Sequence, residues 1–218
     1  MASRPKQPAP RPTPRLYLTT PRLADTHTFA APLSAAIEVA DVAAVLLRLA
    51  DADEGTLIKR ARALGEHVQP HGAALIIDGR PELVARARAD GAHVTGIASF
   101  REAIEQLKPE WVVGVGGLAT RHDAMLAAEQ GADYVMFGEP DEHGARPAFG
   151  AIEERVAWWA EVFEAPCVGY AASHAEVAPL VAAGADFIAL GDWLWAEPAL
   201  PETMAAIAQE LRLPETTS

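Results

Sequence analysis

The sequence predicts an α/β fold, a single (β/α)8 TIM barrel, and three observations lead there. Short apolar runs alternate with amphipathic stretches along nearly the whole chain. The runs are apolar throughout instead of alternating with polar residues, as parallel strands covered on both faces are. Eight such pairs fit into about 200 residues, and the first strand is not followed by the glycine-rich turn that usually marks an open doubly wound sheet.

The strands read, in order, as RLYLTT, AAVLLRL, AALIID, GAHVTG, EWVVGVG, DYVMFG, PCVGYA and DFIALG. A short helix around LSAAIEVA follows the first. EGTLIKRARALGEHVQ, PELVARARA, SFREAIEQL, RHDAMLAAEQ, GAIEERVAWWAEVFE, HAEVAPLVAA and PETMAAIAQELR supply the rest. Apolar residues three and four apart mark the packed faces, as in the rows Leu57, Ala61, Leu64 and Ile152, Val156, Trp159, Phe163. Several helices are expected to end at glycine, at Gly72, Gly91, Gly131 and Gly184. Residues 1–14 are Pro-rich and basic with no large apolar side chain, which predicts a disordered tail. The barrel is expected over 15–212, with a frayed end over 213–218.

The formal net charge is −12. The first 15 residues hold four basic side chains and no acid, leaving about −16 (14 basic against 30 acidic) for the remainder. Such a surface repels phosphate backbones and argues against nucleic acid as a partner. A small phosphorylated ligand in a locally positive pocket stays compatible with it. No apolar run is long enough for a membrane helix, and the amino terminus lacks the apolar core of a secretory signal. The expectation is a cytoplasmic protein without membrane association. The single cysteine, Cys167, allows neither an intrachain disulfide nor a cysteine zinc site and reads as a buried small hydrophobe.

Asp78 and His93 end neighbouring strands on the side where barrel chemistry is located. They are candidate catalytic residues, and as a pair the carboxylate would raise the imidazole pKa and fix its tautomer. For Asp78 the competing reading is a salt bridge to Arg80 or a turn acceptor; for His93 it is a satisfied core residue. Gly116 and Gly117, in GVGG, offer backbone amides to an anion. Glu139, Asp141, Glu142 and His143 form an oxygen-rich loop, either a metal site or, more simply, a solvated acidic loop. Asp192 reads as an N-cap or as a carboxylate placed against phosphate. Trp193 and Trp195 should flank the barrel top, as a plug or an interface. Trp159 should pack on the barrel, leaving Trp158 for a contact within a homo-oligomer.

Four stretches carry a family resemblance: RLYLTTP; the run from RARALGEHVQPHG through ALIIDG to ADGAHV; AEQGADYVMFGEP; and APCVGYAASHAEVAPLVAAGADFIALGDWLW. Together they resemble the thiamine phosphate synthase and thiazole tautomerase superfamily over roughly residues 15–210. The resemblance implies a role in thiamine biosynthesis, coupling a pyrimidine diphosphate to a thiazole phosphate with Mg²⁺ as cofactor. By matched motif it implies Asp78 as metal ligand. It also implies Arg48, Gly116, Gly117, Arg146 and Gly191 as substrate-binding residues. Several motif positions differ. The family's Gln-Leu-Arg-Glu-Lys becomes Leu46 to Ala50, keeping only Arg48 of its polar residues. Its Asn-Asp becomes Ile77-Asp78, and its Gly-Gly after strand seven becomes Tyr170-Ala171. No acid stands in VTGIAS, where the second metal carboxylate belongs. Arg146 is the only candidate for the loop lysine, and His122 lies about one turn from the tautomerase histidine. The alternatives are therefore a divergent barrel with another small-molecule ligand, or a noncatalytic interaction or regulatory protein.

Overall fold

The structure, a computed structural model, describes residues 12–212. The predicted tail over 1–14 and the frayed end over 213–218 lie mostly or wholly outside the described residues. Eight parallel strands close into a barrel in sequence order. They are β1 (Arg15–Thr19), β2 (Val42–Leu47), β3 (Ala74–Asp78), β4 (Gly91–Thr95), β5 (Val112–Gly116), β6 (Tyr134–Phe137), β7 (Cys167–Ala171) and β8 (Phe187–Leu190). The helices are α1 (His27–Glu38), α2 (Glu54–Val68), α3 (Val84–Ala87), α4 (Ile97–Leu107), α5 (Arg121–Glu129), α6 (Phe149–Val162), α7 (Val177–Ala183) and α8 (Leu200–Glu210). None is long and apolar enough to cross a membrane.

Two apolar layers hold the barrel. The larger lies between strands and helices and includes Leu16, Leu18, Val45, Leu75, Ile77, Val113, Val135, Ile188 and the predicted Trp159, all buried. The smaller fills the lumen with Tyr17, Ala44, Leu46, Ile76, Tyr134, Met136, Val168, Tyr170 and Ala189. The strict inside-outside alternation of a strand divides these sets, so every second residue faces the lumen. Trp158 is only partly buried, packed on Phe163 and under the Arg121 guanidinium.

Four aspartates organise the lower rim, each directly before an even-numbered strand. Asp90 accepts the Leu75 amide at 2.7 Å, Asp133 the Val113 amide at 2.6 Å and Asp186 the Cys167 amide at 2.8 Å. Asp41 instead pairs with the Arg15 guanidinium at 2.8 Å. A carboxylate that accepts a backbone N–H fixes the start of the preceding odd strand. This is the structural use of the repeated Ala-Asp in ADGAHV, GADYV and GADF.

Two boundary expectations need correction. PELVARARA is a 3₁₀ turn at Pro81–Leu83 and a four-residue α3 that ends at Arg88, a non-glycine in the left-handed region (φ 57°). Gly91 does not end that helix; it opens β4 against Val112. The chain reverses early because Asp90 must reach back to β3. The expected glycine ends at Gly72, Gly131 and Gly184 do adopt positive φ.

Candidate active site

The upper rim of the barrel gathers most of the singled-out residues. Asp78 and His93 are direct neighbours in the β3–β4 register and both face inward. Asp78 ends β3, but His93 is the middle residue of β4 and is buried in the lumen, so the expectation that both end their strands holds for Asp78 alone. The expected carboxylate-imidazole pair is nevertheless not formed. His93 Nδ1 instead lies 3.1 Å from the Tyr134 hydroxyl, which lies 2.7 Å from the Tyr17 hydroxyl. Burial lowers the His93 pKa to about 4, so the imidazole is neutral, opposite to the shift a carboxylate partner would give. Burial raises both tyrosine pKa values as well. The result is a neutral hydrogen-bonded chain across the lumen from β1 through β6 to β4.

Asp78 makes neither the expected pair with Arg80 nor a turn contact. Arg80 bonds Asp51 at 2.9 Å. The Asp78 carboxyl has no hydrogen bond or ion pair among the described residues; burial raises its pKa, with Arg48 and Arg22 pulling the other way. It lines a pocket of ≈ 210 Å³ together with Arg22, Asp51, Gly79 and Arg80.

The remaining candidates are brought to the same rim, largely engaged by the protein itself. Arg48 donates from Nε to the Thr20 carbonyl at 2.5 Å and forms an ion pair with Asp192. Asp192 is therefore a partner of Arg48, and it makes no side-chain cap on the turn it begins. Arg146 is clamped by Glu176, at 2.9 and 3.1 Å, and donates to the Tyr170 carbonyl at 3.2 Å. Glu176 also accepts the Ala172 amide at 2.8 Å. The Gly191 amide is used by the Ala171 carbonyl, and a Cβ on Gly191 would stand 2.5 Å from the Tyr170 hydroxyl. The Tyr170 ring thus lies close against the Gly191 backbone. The Gly117 amide is taken by Glu139 Oε1 at 2.5 Å. Trp193 and Trp195 bond the Ala171 and Thr19 carbonyls at 2.9 and 2.7 Å, clasping the rim at β7 and β1.

Glu139 is the residue underread in the sequence. It belongs to the mouth, apart from the exposed turn that Asp141 organises by accepting the His143 and Ala145 amides. Its Oε2 is out of contact with solvent and without a hydrogen-bond partner among the described residues. Burial raises its pKa to about 7; the Gly117 amide and Arg146 oppose this, and Asp78 adds to it. The signal available in sequence was its position, one residue past the glycine that ends β6. Tyr17 and Tyr134 carried no local signal, because only barrel closure joins them.

Of the two readings of the 139–143 loop, Asp141, Glu142 and His143 are exposed as in the solvated acidic loop, and no three His, Cys, Asp or Glu among the described residues are placed to hold an ion. Asp78 is a single open carboxylate. Mg²⁺ commonly takes one or two protein carboxylates and completes its shell with substrate phosphate and water. The residues fit that ion only in such a shared arrangement.

Comparison with known proteins agrees with the motifs. The family model described as thiamine monophosphate synthase matches residues 16–193. A thiamine-phosphate synthase of Rhodospirillum centenum is 42% identical over 88% of this chain and 94% of its own length. One from Hyphomonas neptunium is 35% identical, covering 85% and 88%. Among solved structures, a thiamine phosphate pyrophosphorylase from Pyrococcus furiosus superposes with a TM-score of 0.75 at 18% identity, over 90% of this chain and 95% of that one. A 3-hexulose-6-phosphate synthase from Salmonella typhimurium shares the fold at a TM-score of 0.70 and 13% identity. With its motifs, closed barrel and near full-length relatives in agreement, the chain belongs to the thiamine monophosphate synthase family.

Proposed function

We propose that the chain is a transferase of thiamine phosphate synthesis that keeps the diphosphate end of the site and has rebuilt the other end. The observation that carries this reading is the open Asp78 carboxylate, in a pocket with Arg22 and Arg80 and within electrostatic reach of Arg48. Guanidinium groups bind phosphate oxygens through charge-assisted, often paired hydrogen bonds. Arg22 and Arg80 would orient a diphosphate, and Arg48 would join them by giving up Asp192. Asp78 would be the protein ligand of a shared Mg²⁺, which when bound offsets charge developing on a leaving diphosphate. In the coupling, the pyrimidine-bearing carbon loses its bond to diphosphate and gains one to the thiazole nitrogen. The buried tyrosines close the floor of the mouth and keep water from the reacting carbon.

A second reading is favoured by the opposite rim. Glu139 occupies the Gly117 amide, and Tyr170 crowds Gly191. A carboxylate and a ring stand where a phosphate would enter, which favours a different small-molecule ligand or a noncatalytic role.

Turnover of pyrimidine diphosphate and thiazole phosphate, with and without Mg²⁺, separates the two. The expected result is Mg²⁺-dependent thiamine phosphate formation, reduced at least about 100-fold by Asp78→Ala. Turnover unchanged in that variant removes Asp78 from the mechanism. A parent chain that binds pyrimidine diphosphate without forming product supports the second reading.

A further inference from the structure

Away from the mouth, the outer side of α6 shows an apolar face to solvent. The helix buries Ile152, Val156 and Trp159 against the barrel. On its outer side stand Trp158, partly buried, and Val162, 58% exposed. The two are four positions apart and are therefore neighbours on the helix surface. The Phe163 ring lies 5.3 Å from that of Trp158, and the Arg121 guanidinium lies 4.7 Å over the indole. Trp159, Trp193 and Trp195 each donate their indole N–H to a backbone carbonyl. Trp158 Nε1 has no acceptor among the described residues. An aromatic ring beside a free indole N–H suits a proline-rich strand: the ring packs on the pyrrolidines, and the N–H bonds a carbonyl that the extended helix leaves unpaired.

The chain itself holds such a segment. Residues 1–14, MASRPKQPAPRPTP, contain five prolines with Arg4, Lys6 and Arg11 and no acid. Proline-rich sequence favours an extended helix of about 3.1 Å per residue, so 14 residues reach about 43 Å. The segment joins the barrel at Arg15, the lower end of β1, and α6 descends to the same rim, where Phe163 leads towards β7. Only β8 separates β7 from β1, at about 4.8 Å per strand. The reach exceeds that separation several-fold and leaves chain for the run outwards to α6. The charges match as well. Glu154 is engaged by Arg121 at 3.3 Å, whereas Glu161 and Glu164 are exposed with no ion pair among the described residues. Tethering holds such a segment at an effective concentration on the order of mM, so contacts of small area suffice.

We propose that residues 1–14 dock on the Trp158–Val162 face of α6 in their own chain, prolines on the indole and basic side chains against Glu161 and Glu164. The docked segment covers the apolar face and keeps it from a second copy. The proposal is independent of the upper rim and of the reaction carried out there.

Trypsin reads the docking in the full chain. It cuts between Lys6 and Gln7, while the bonds after Arg4 and Arg11 precede proline and resist it. Loss of residues 1–6, followed by mass spectrometry, is compared between the parent and Val162→Lys. That variant removes the apolar contact and adds a charge of the segment's own sign. The parent should be cut at least about fivefold more slowly, because cleavage follows the undocked fraction. The ratio should not change over a tenfold range of protein concentration. Equal rates in two chains with the same circular dichroism overturn the proposal. So does protection that grows with concentration, which would give the face to a second copy. A second measurement leaves the barrel untouched. The indole N–H resonance that disappears in Trp158→Phe identifies Trp158, and it should shift when Pro8→Ala, Pro10→Ala and Pro12→Ala are combined. An unmoved Trp158 resonance in that chain overturns the proposal as well.

Discussion

Replacing Glu139 by Gln should change how stability depends on pH. The carboxyl of Glu139 has an ordinary pKa of 4.5 and is pushed up to about 7 by burial in the folded chain. Between those values the folded state holds a proton that the unfolded state has released. The stabilisation from that proton is fully present below about pH 4.5. It is lost as pH rises to about 7, and above that the contribution is flat. At 1.36 kcal/mol per pKa unit the shift amounts to about 3 kcal/mol across the window, an upper value because residue 139 is only partly buried. The charged groups acting on it are Asp78, which adds to the shift, and Arg146, which opposes it; His93 stays neutral beside it over this range. They remain in the variant, so the difference between the two chains isolates Glu139. Urea unfolding followed by circular dichroism at about pH 5, 6, 7 and 8 gives that difference. The variant should gain on the parent steadily up to about pH 7 and then hold its advantage. A difference that stays constant within about 0.5 kcal/mol over the whole range would refute the argument that burial keeps this carboxyl protonated.

Two further substitutions test the lumen and the sheet. Tyr134→Phe removes the link between Tyr17 and His93 and leaves two buried groups without their partner; the expected loss is about 2–5 kcal/mol by urea unfolding, and a loss below about 1 kcal/mol would mean that water restores the chain. Gly91→Ala puts a methyl 2.2 Å from the Val112 carbonyl oxygen, on backbone that cannot rotate away. It should cost about 3 kcal/mol or more by the same assay. Gly150→Ala, which meets nothing within 4 Å in α6, should instead be neutral or stabilise by up to about 1 kcal/mol.

The barrel was legible because its signals are local. ALIID is apolar on both faces and becomes β3 as read, and the Asp78–His93 adjacency follows from strand order once closure is assumed. The contents of the mouth were less legible. Sequence places Asp78 beside His93 but cannot show that the imidazole turns to Tyr134, forty-one positions on, because that choice is made by burial across the lumen. Glu139 looked like part of an acidic loop since its neighbours Asp141, Glu142 and His143 are exposed. Only the glycine at 116 makes room for its carboxyl on the neighbouring strand. Arg48 and Arg146 were found by motif, yet their partners Asp192 and Glu176 arrive from the turns after β8 and β7. Sequence distance hides exactly such neutralised pairs as these.

The four rim aspartates bear on how this mouth could change at all. Asp41, Asp90, Asp133 and Asp186 divide the barrel into four two-strand quarters, each with its own polar latch at the lower rim. The latches lie at the opposite end of the strands from Asp78, Glu139 and Tyr170. Residues of the upper rim can therefore be exchanged during evolution without loosening what sets the strand starts. A lineage with this scaffold is free to trade a phosphate cup for a tyrosine or a carboxylate, one quarter at a time, while the other three stay in register.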